Sequence, residues 1–189
     1  MKVLKSFALV LVILTSTACS LLGGTGYWVS KSSINDWNQI GDANWRIENG
    51  AFVADGGKGH LVSKESYEDF QIKLEFWVDK PANSGVFLRI TNPADVTDST
   101  SYEVNIFDTR ADQTYRTGGI VHFAAPKVSI DTAGQWNTYD ITAKGSKIVA
   151  ILNGETTVEL DDDTYSSGPL SLQYAAGVVK FRNVEIRKL

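Results

Sequence analysis

The chain has 189 residues, a pI near 5.2 and a formal charge of −4, with 43% hydrophobic and 21% charged residues. This composition supplies the core of one domain and excludes a disordered chain. The acidic balance, with no basic cluster, argues against nucleic acid as a partner. The single cysteine excludes a disulfide framework and a cysteine-rich zinc site.

Residues 1–18 are typical of a secretory signal. Lys2 and Lys5 form a basic start, an unbroken apolar run follows at 7–14, and small residues precede Cys19. This layout resembles the signal of bacterial lipoproteins, in which the cysteine becomes the lipidated first residue of the mature chain. It implies a membrane anchor in the bacterial cell envelope, facing the periplasm or the outside. The alternative is an ordinary cleavable signal followed by an accidental cysteine.

The segment after the signal is predicted to be a flexible tether, because residues 19–26 are rich in glycine and small side chains. Removal of residues 1–18 leaves 171 residues with 16 basic and 22 acidic side chains, a charge of −6. We expect one folded domain over residues 27–189.

The folded part is predicted to be all-β. Apolar alternation between turn residues predicts strands at 71–78, 86–90, 102–107, 147–152, 156–160, 170–174 and 178–188. Asn153 and Gly154 suit a tight primed hairpin turn, and the four prolines fall between the predicted strands. We expect Trp136, at the start of a further strand, to lie in the core. This pattern indicates an antiparallel β-sandwich or jelly roll.

Alternation gives these strands one apolar and one polar face. The predicted core face carries Val86, Leu88, Val104, Ile106, Leu170 and Leu172. The other face carries Phe87, Arg89, Glu103, Asn105, Phe107, Ser171 and Gln173. Aromatic rings stack on sugar rings and planar polar groups bind paired hydroxyls, so this face suits a carbohydrate. The alternative is that it is simply the solvated face of an antiparallel sheet.

Several short motifs occur in a characteristic order along the chain. They are WRIENG at 45–50, YEDF at 67–70, NSGVFLR at 83–89, YEVNIFD at 102–108, TGGI at 117–120, QWN at 135–137, LNG at 152–154, LQ at 172–173 and FRNV at 181–184. Over residues 37–189 they resemble the bacterial 3-keto-disaccharide hydrolase-like domain. The resemblance implies a concanavalin-like jelly roll that acts on glycosides whose sugar ring carries a ketone at carbon 3.

Such a substrate needs only a small catalytic apparatus. The ketone acidifies the hydrogen on carbon 2, so a base can remove it and the glycosidic oxygen can leave by elimination, followed by hydration. The candidates are Glu103 or Asp108 as base, His122 as acid or base, and Arg89 as the cation that faces the developing charge. The predicted substrate-binding residues are Phe87, Asn105, Phe107 and Gln173.

We expect no nucleotide cofactor, because the chain has no glycine-rich nucleotide loop, and we assign the oxidation of the sugar to another enzyme. The resemblance leaves a divalent metal open, with Glu103, Asp108 and His122 as possible ligands. The acidic run at 161–163 is most simply a solvated loop, calcium binding being the alternative.

Two positions depart from the family pattern. Ala175 stands where relatives commonly have a histidine, and Asn105 stands where glutamine is usual. Alanine cannot move a proton, so the alternative to an enzyme is a non-catalytic carbohydrate-binding module. A structural envelope lipoprotein is the third possibility. His60 and His122 also have an ordinary interpretation as packing residues on strands.

Overall fold

The computed structural model describes residues 26–189, so the predicted signal and Cys19 lie outside the described residues. Regular structure in this part consists of thirteen β-strands and two three-residue 3-10 turns, Ile34–Asp36 and Gln113–Tyr115. No helix in the described part is long and apolar enough to cross a membrane. The strands are β1 Val29–Ser30, β2 Trp37–Gly41, β3 Arg46–Glu48, β4 Ala51–Ala54, β5 Gly59–Tyr67, β6 Phe70–Val78, β7 Ser84–Leu88, β8 Tyr102–Ile106, β9 Trp136–Lys144, β10 Lys147–Leu152, β11 Glu155–Asp161, β12 Gly168–Tyr174 and β13 Val179–Lys188.

These strands form two antiparallel sheets. The larger has the order β11-β10-β9-β6-β13-β4-β3, and the short β1 also pairs with β13 to make eight strands. The smaller has the order β2-β5-β12-β7-β8. The sheets pack face to face, because one cluster of buried side chains draws on strands of both. The predicted all-β antiparallel sandwich is confirmed.

Alternation places the core side chains as predicted. All six residues of the predicted core face are fully buried between the sheets: Val86, Leu88, Val104, Ile106, Leu170 and Leu172. The hairpin between β10 and β11 turns at Asn153 and Gly154, with φ of 53° and 86°. Two successive positive φ angles are what a primed turn requires, which is why this pair of residues occurs there.

The prediction for Trp136 is wrong. Its ring lies on the outer face of the larger sheet, 37% exposed, and the Arg182 guanidinium packs 3.9 Å from the ring centre. Along β9 the core face is taken by Asn137, Tyr139 and Ile141. The alternation of side chains along β9 therefore decides which face Trp136 occupies, although the side chain itself is hydrophobic.

Candidate functional site

The candidate site lies on the side of the five-stranded sheet that faces away from the core, here called the small-sheet outer face. Cross-strand register places Val62, Ser171, Phe87 and Glu103 side by side across β5, β12, β7 and β8. Their side chains point to the same side of the sheet, because residues directly opposite each other on neighbouring strands share a face.

The centre of this face is covered, not open as a sugar platform would be. Phe87 is only 1% exposed and packs with Val62, Ile90 and Val96, the last of which belongs to the segment that follows β7. The ring of His60 meets Phe87 edge-on at 5.0 Å. Phe87 is predicted to bind substrate, but its ring is occupied by these contacts and lies beneath the surface.

Glu103 is a buried carboxyl group on this face. It is 6% exposed, and no hydrogen bond or ion pair among residues 26–189 uses its side-chain oxygens. Burial, with a contribution from the nearby charge of Asp98, raises the pKa of Glu103 to about 8, while Arg110 opposes the shift. A carboxyl group that keeps its proton at neutral pH can act as a general acid.

Room for Glu103 depends on the neighbouring strand. A Cβ at Gly85 would lie 3.0 Å from the Glu103 Oε1 atom and 3.1 Å from its Cγ atom. The glycine inside the NSGVFLR motif therefore lets the glutamate side chain lie across β7. A glycine inside a predicted strand is the sequence signal of such a close approach.

His122 belongs to the segment after the second 3-10 turn, whose backbone pairs with β8 at Glu103. The amide of Val121 donates to the carbonyl of Glu103 at 3.0 Å, so this segment covers the free edge of β8. His122 is exposed, with φ of 68°, and its Nε2 atom lies 3.1 Å from Oδ2 of Asp98. Asp98 therefore interacts with both predicted catalytic groups: it contacts His122, and its charge acts on Glu103.

Arg110 supplies a cation near Glu103. Its charge lowers the pKa of that carboxyl group, its Nε atom is buried without a partner, and no ion pair in the described part of the chain uses its guanidinium. We refer to Glu103, Asp98, His122 and Arg110 as the Glu103 group.

Arg89 does not belong to the Glu103 group, although the sequence predicts it there. It lies at the end of the sandwich, 1% exposed, with φ of 53°. Its guanidinium donates to three backbone carbonyls, those of Glu68, Gly145 and Tyr165, at 2.7–3.1 Å. The prediction assumes that alternation continues past Leu88, but β7 ends there. The contacts of Arg89 join turns together and leave it away from the outer face.

Asp108 is also occupied by structural contacts. Its carboxylate accepts from the hydroxyl groups of Thr117 and Thr132 and from the amides of Thr132 and Ala133. It therefore fixes the loop before β9 and does not join Glu103 and His122 as a third metal ligand. Among residues 26–189 no group of three His, Cys, Asp or Glu side chains is placed to hold a metal ion.

The other three predicted substrate-binding residues lie in different surroundings. Asn105 is fully buried and donates to the carbonyl of Tyr115, although its Oδ1 atom has no partner. Phe107 is half-buried just after β8, and its amide donates to Thr117 Oγ1 at 2.8 Å. Gln173 lies on β12 near His60, in a cavity separate from the Glu103 group.

Sequence reasoning misses Asp98 and Arg110 because both lie in loops, where no periodicity shows which way a side chain points. It also gives His60 only a packing role. His60 is buried, its Nδ1 atom lies 3.0 Å from Ser171 Oγ, and burial lowers its pKa to about 4. The alternation of β5 and β12 could have indicated that these two side chains share a face.

The architecture is similar to that of several solved β-sandwich proteins. A protein from Parabacteroides distasonis proposed to be a glycosyl hydrolase has a TM-score of 0.73 at 24% identity, covering 86% of this chain and 100% of its own. The carbohydrate binding module CBM66 from Bacillus subtilis has a TM-score of 0.61 at 17% identity, covering 79% and 93%. A Bacillus subtilis protein of unknown function with a galectin-like fold has a TM-score of 0.62 at 15% identity, covering 84% and 92%. At these identities the similarities show the fold.

The family follows from the sequence match. The family model of the 3-keto-alpha-glucoside-1,2-lyase-like domain matches residues 29–187, so the chain belongs to this family. The resemblance stated from the short motifs is therefore confirmed, and the chain is a member of a carbohydrate-active family. No curated protein sequence matches the chain.

Proposed function

We propose that the protein cleaves 3-keto-glycosides or 3-keto-disaccharides by elimination across carbons 1 and 2 of the keto sugar. The observation that carries the proposal is the buried, unpaired carboxyl group of Glu103 beside the His122–Asp98 pair and Arg110, in a member of the 3-keto-alpha-glucoside-1,2-lyase-like family. Buried acids with shifted pKa values beside a second titratable group are typical of catalytic sites.

The chemistry needs a base, an acid and a cation, and the Glu103 group offers one of each. His122, held by Asp98, removes the proton from carbon 2, and the electron pair moves toward the ketone oxygen as an enolate. The charge of Arg110 stabilises that oxygen. Glu103, protonated at neutral pH, donates its proton to the glycosidic oxygen as the bond to carbon 1 breaks. The products are an unsaturated 3-keto sugar and a free alcohol, and water can then add to the double bond.

A second candidate function is carbohydrate binding without cleavage, and one observation favours it. Position 175 carries alanine where relatives commonly have histidine, so any proton transfer at that position is lost. In the proposed mechanism the proton transfers belong to Glu103 and His122, and position 175 has no part in them. The two candidates therefore differ in whether a 3-keto-glycoside is cleaved at all.

The test is release of the alcohol from a 3-keto-glucoside by the full-length protein. We expect Glu103→Gln to reduce kcat about 100-fold or more, since general acid catalysis typically contributes about 10²–10⁴-fold. In the wild type, kcat should fall as pH rises above about 8, where Glu103 loses its proton. Asn38→Ala is the control, because Asn38 is an exposed residue on β2 of the same sheet. No release by the wild type, together with measurable sugar binding, would establish the second candidate.

The cellular location is a separate proposal, because Cys19 lies outside the described residues. We propose that Cys19 is lipidated and anchors the protein in the bacterial cell envelope, as the layout of residues 1–18 indicates. Lipid-labelled protein should appear in the membrane fraction, and Cys19→Ser should abolish the label. Retention of the label in the Cys19→Ser variant would contradict the anchor.

A further inference from the structure

A cavity opens on the small-sheet outer face, toward the β2 edge, whereas Glu103 lies on β8 at the opposite edge. Its volume is about 290 Å³, near the lower end of small-molecule sites. Residues 94–96 form one wall. Ile40 and Val96 provide apolar surface, and His60, Gln173 and Ala175 complete the lining.

The cavity contains a polar group without a partner. Oε1 of Gln173 is buried, and no hydrogen bond in the described part of the chain uses the Gln173 side chain. A buried acceptor without a donor costs about 1–3 kcal/mol, which a donor on a ligand would offset. If the amide is turned the other way, the same position needs an acceptor, and a hydroxyl group can serve in either role.

His60 narrows the chemistry of the ligand. Its Nδ1 atom is engaged by Ser171, which leaves Nε2 as the other polar atom of the ring. Burial lowers the pKa of His60 to about 4, so the ring is neutral at neutral pH and offers no charge to an anion. Lys58 and Asp95 contribute one charge of each sign to the lining. These groups suit a neutral ligand with hydroxyl groups and an apolar face.

We propose that this cavity is a subsite for a neutral sugar unit of the substrate, attached to the keto ring that is cleaved beside Glu103. The inference rests on the proposed function for the role of the neighbouring ring. Hydroxyl groups of the unit would pair with Gln173 and His60, and its apolar face would contact Ile40 and Val96. The cavity holds one ring and not a chain of several.

The separation of the two sites sets the substrate class. Gln173 lies on β12 and Glu103 on β8, with β7 between them, and the β12 residue in register with Glu103 is Ser171, two positions from Gln173. Two strand spacings across the sheet and two residues along β12 place Gln173 and Glu103 about 12 Å apart. A glycoside with a small leaving group reaches only the Glu103 group. A substrate that fills both sites has at least two units, which points to a 3-keto-disaccharide or a longer glycan.

The experiment measures binding of unoxidised disaccharides, so that it does not depend on turnover. Maltose, cellobiose and trehalose are titrated into the full-length protein and its variants by calorimetry. We expect at least one to bind the wild type, and Gln173→Leu and Ala175→Leu each to weaken that binding at least tenfold. The first removes the polar group at similar volume, and the second fills the cavity.

Asn38→Ala acts as the control, because it lies on the same sheet outside the cavity lining and should bind the disaccharide like the wild type. Melting curves show whether each variant folds. If one of the two cavity variants, Gln173→Leu or Ala175→Leu, fails to fold, the binding measured for the other tests the proposal. Absence of binding by the wild type, or binding that neither cavity variant weakens, overturns the subsite.

The outcome is independent of the catalytic proposal. Cleavage of a methyl 3-keto-glucoside without disaccharide binding would leave the elimination in place and remove the subsite. Disaccharide binding that the cavity variants weaken, without cleavage of any 3-keto-glycoside, would support the cavity as a sugar site and remove the elimination.

Discussion

The outer faces of the two sheets carry the same kinds of side chain in different states. On the eight-stranded sheet Arg182 and Glu75 are partly accessible and form an ion pair at 2.6 Å, and Arg182 covers the ring of Trp136. On the five-stranded sheet His60, Ser171 and Glu103 are buried on the outer face, and the Glu103 carboxyl group and Gln173 Oε1 have no partner among residues 26–189.

The two outer faces differ in the energetic cost of their polar groups. Paired charges on an exposed face contribute about 0–1 kcal/mol, whereas a buried polar atom without a partner costs about 1–3 kcal/mol. A ligand that supplies the missing partner offsets this cost. Alternation of polar and apolar residues is the same on both faces, so burial and pairing identify the site, and alternation does not.

The largest effect expected on stability concerns Arg89, which the sequence assigns to chemistry and the structure assigns to the end of the sandwich. Arg89→Leu leaves the carbonyls of Glu68, Gly145 and Tyr165 without their donor and removes the partner of Asp69, 3.6 Å away. We expect the free energy of unfolding to fall by about 3–5 kcal/mol, because each buried carbonyl left without its donor costs about 1–3 kcal/mol.

Urea unfolding measures this change. A catalytic arginine would give a different result, with a stable protein and a strongly reduced kcat. Reduced kcat without loss of stability would therefore return Arg89 to the catalytic group and contradict its structural role.

A pH-dependent effect, smaller per pH unit than the loss at Arg89, comes from the two buried titratable groups of the small-sheet outer face. Glu103 destabilises the fold as pH rises, and His60 destabilises it as pH falls. Glu103 has a folded pKa of about 8 against an ordinary value of 4.5. As pH rises from 4.5 to 8, the unfolded chain loses this proton first, so the wild type loses stability by about 1.4 kcal/mol per pH unit relative to Glu103→Gln. Above pH 8 the difference becomes constant.

His60 gives the opposite dependence. Its folded pKa is about 4 against an ordinary value of 6.5, so between these values the unfolded chain takes up a proton that the folded chain does not. As pH falls from 6.5 to 4, the wild type should lose stability relative to His60→Gln with a similar slope. Unfolding curves at half-unit pH steps check both. Parallel curves for the wild type and either variant would show that the group titrates normally and is not desolvated.

The sequence predicts the fold and the polar outer face of the small sheet, but only part of the candidate site. Alternation correctly separates Val104 from Glu103 because both lie within a regular strand. It fails at Arg89, where β7 has ended and the backbone enters the left-handed region. Asp98 and Arg110 could not be predicted, because their positions depend on the path of loops held by long-range contacts, such as the bonds of Asp108 to Thr132 and Ala133.

The smallest effect is expected on the eight-stranded sheet. Arg182→Leu breaks an accessible ion pair with Glu75 and removes the cation from the face of Trp136. Because water replaces much of both interactions, the free energy of unfolding should fall by about 1 kcal/mol or less. Urea unfolding beside Arg89→Leu makes the comparison direct, since both variants replace an arginine by leucine. A loss of equal size at both positions would mean that charge, and not burial, decides the cost, and the contrast between the two faces would fail.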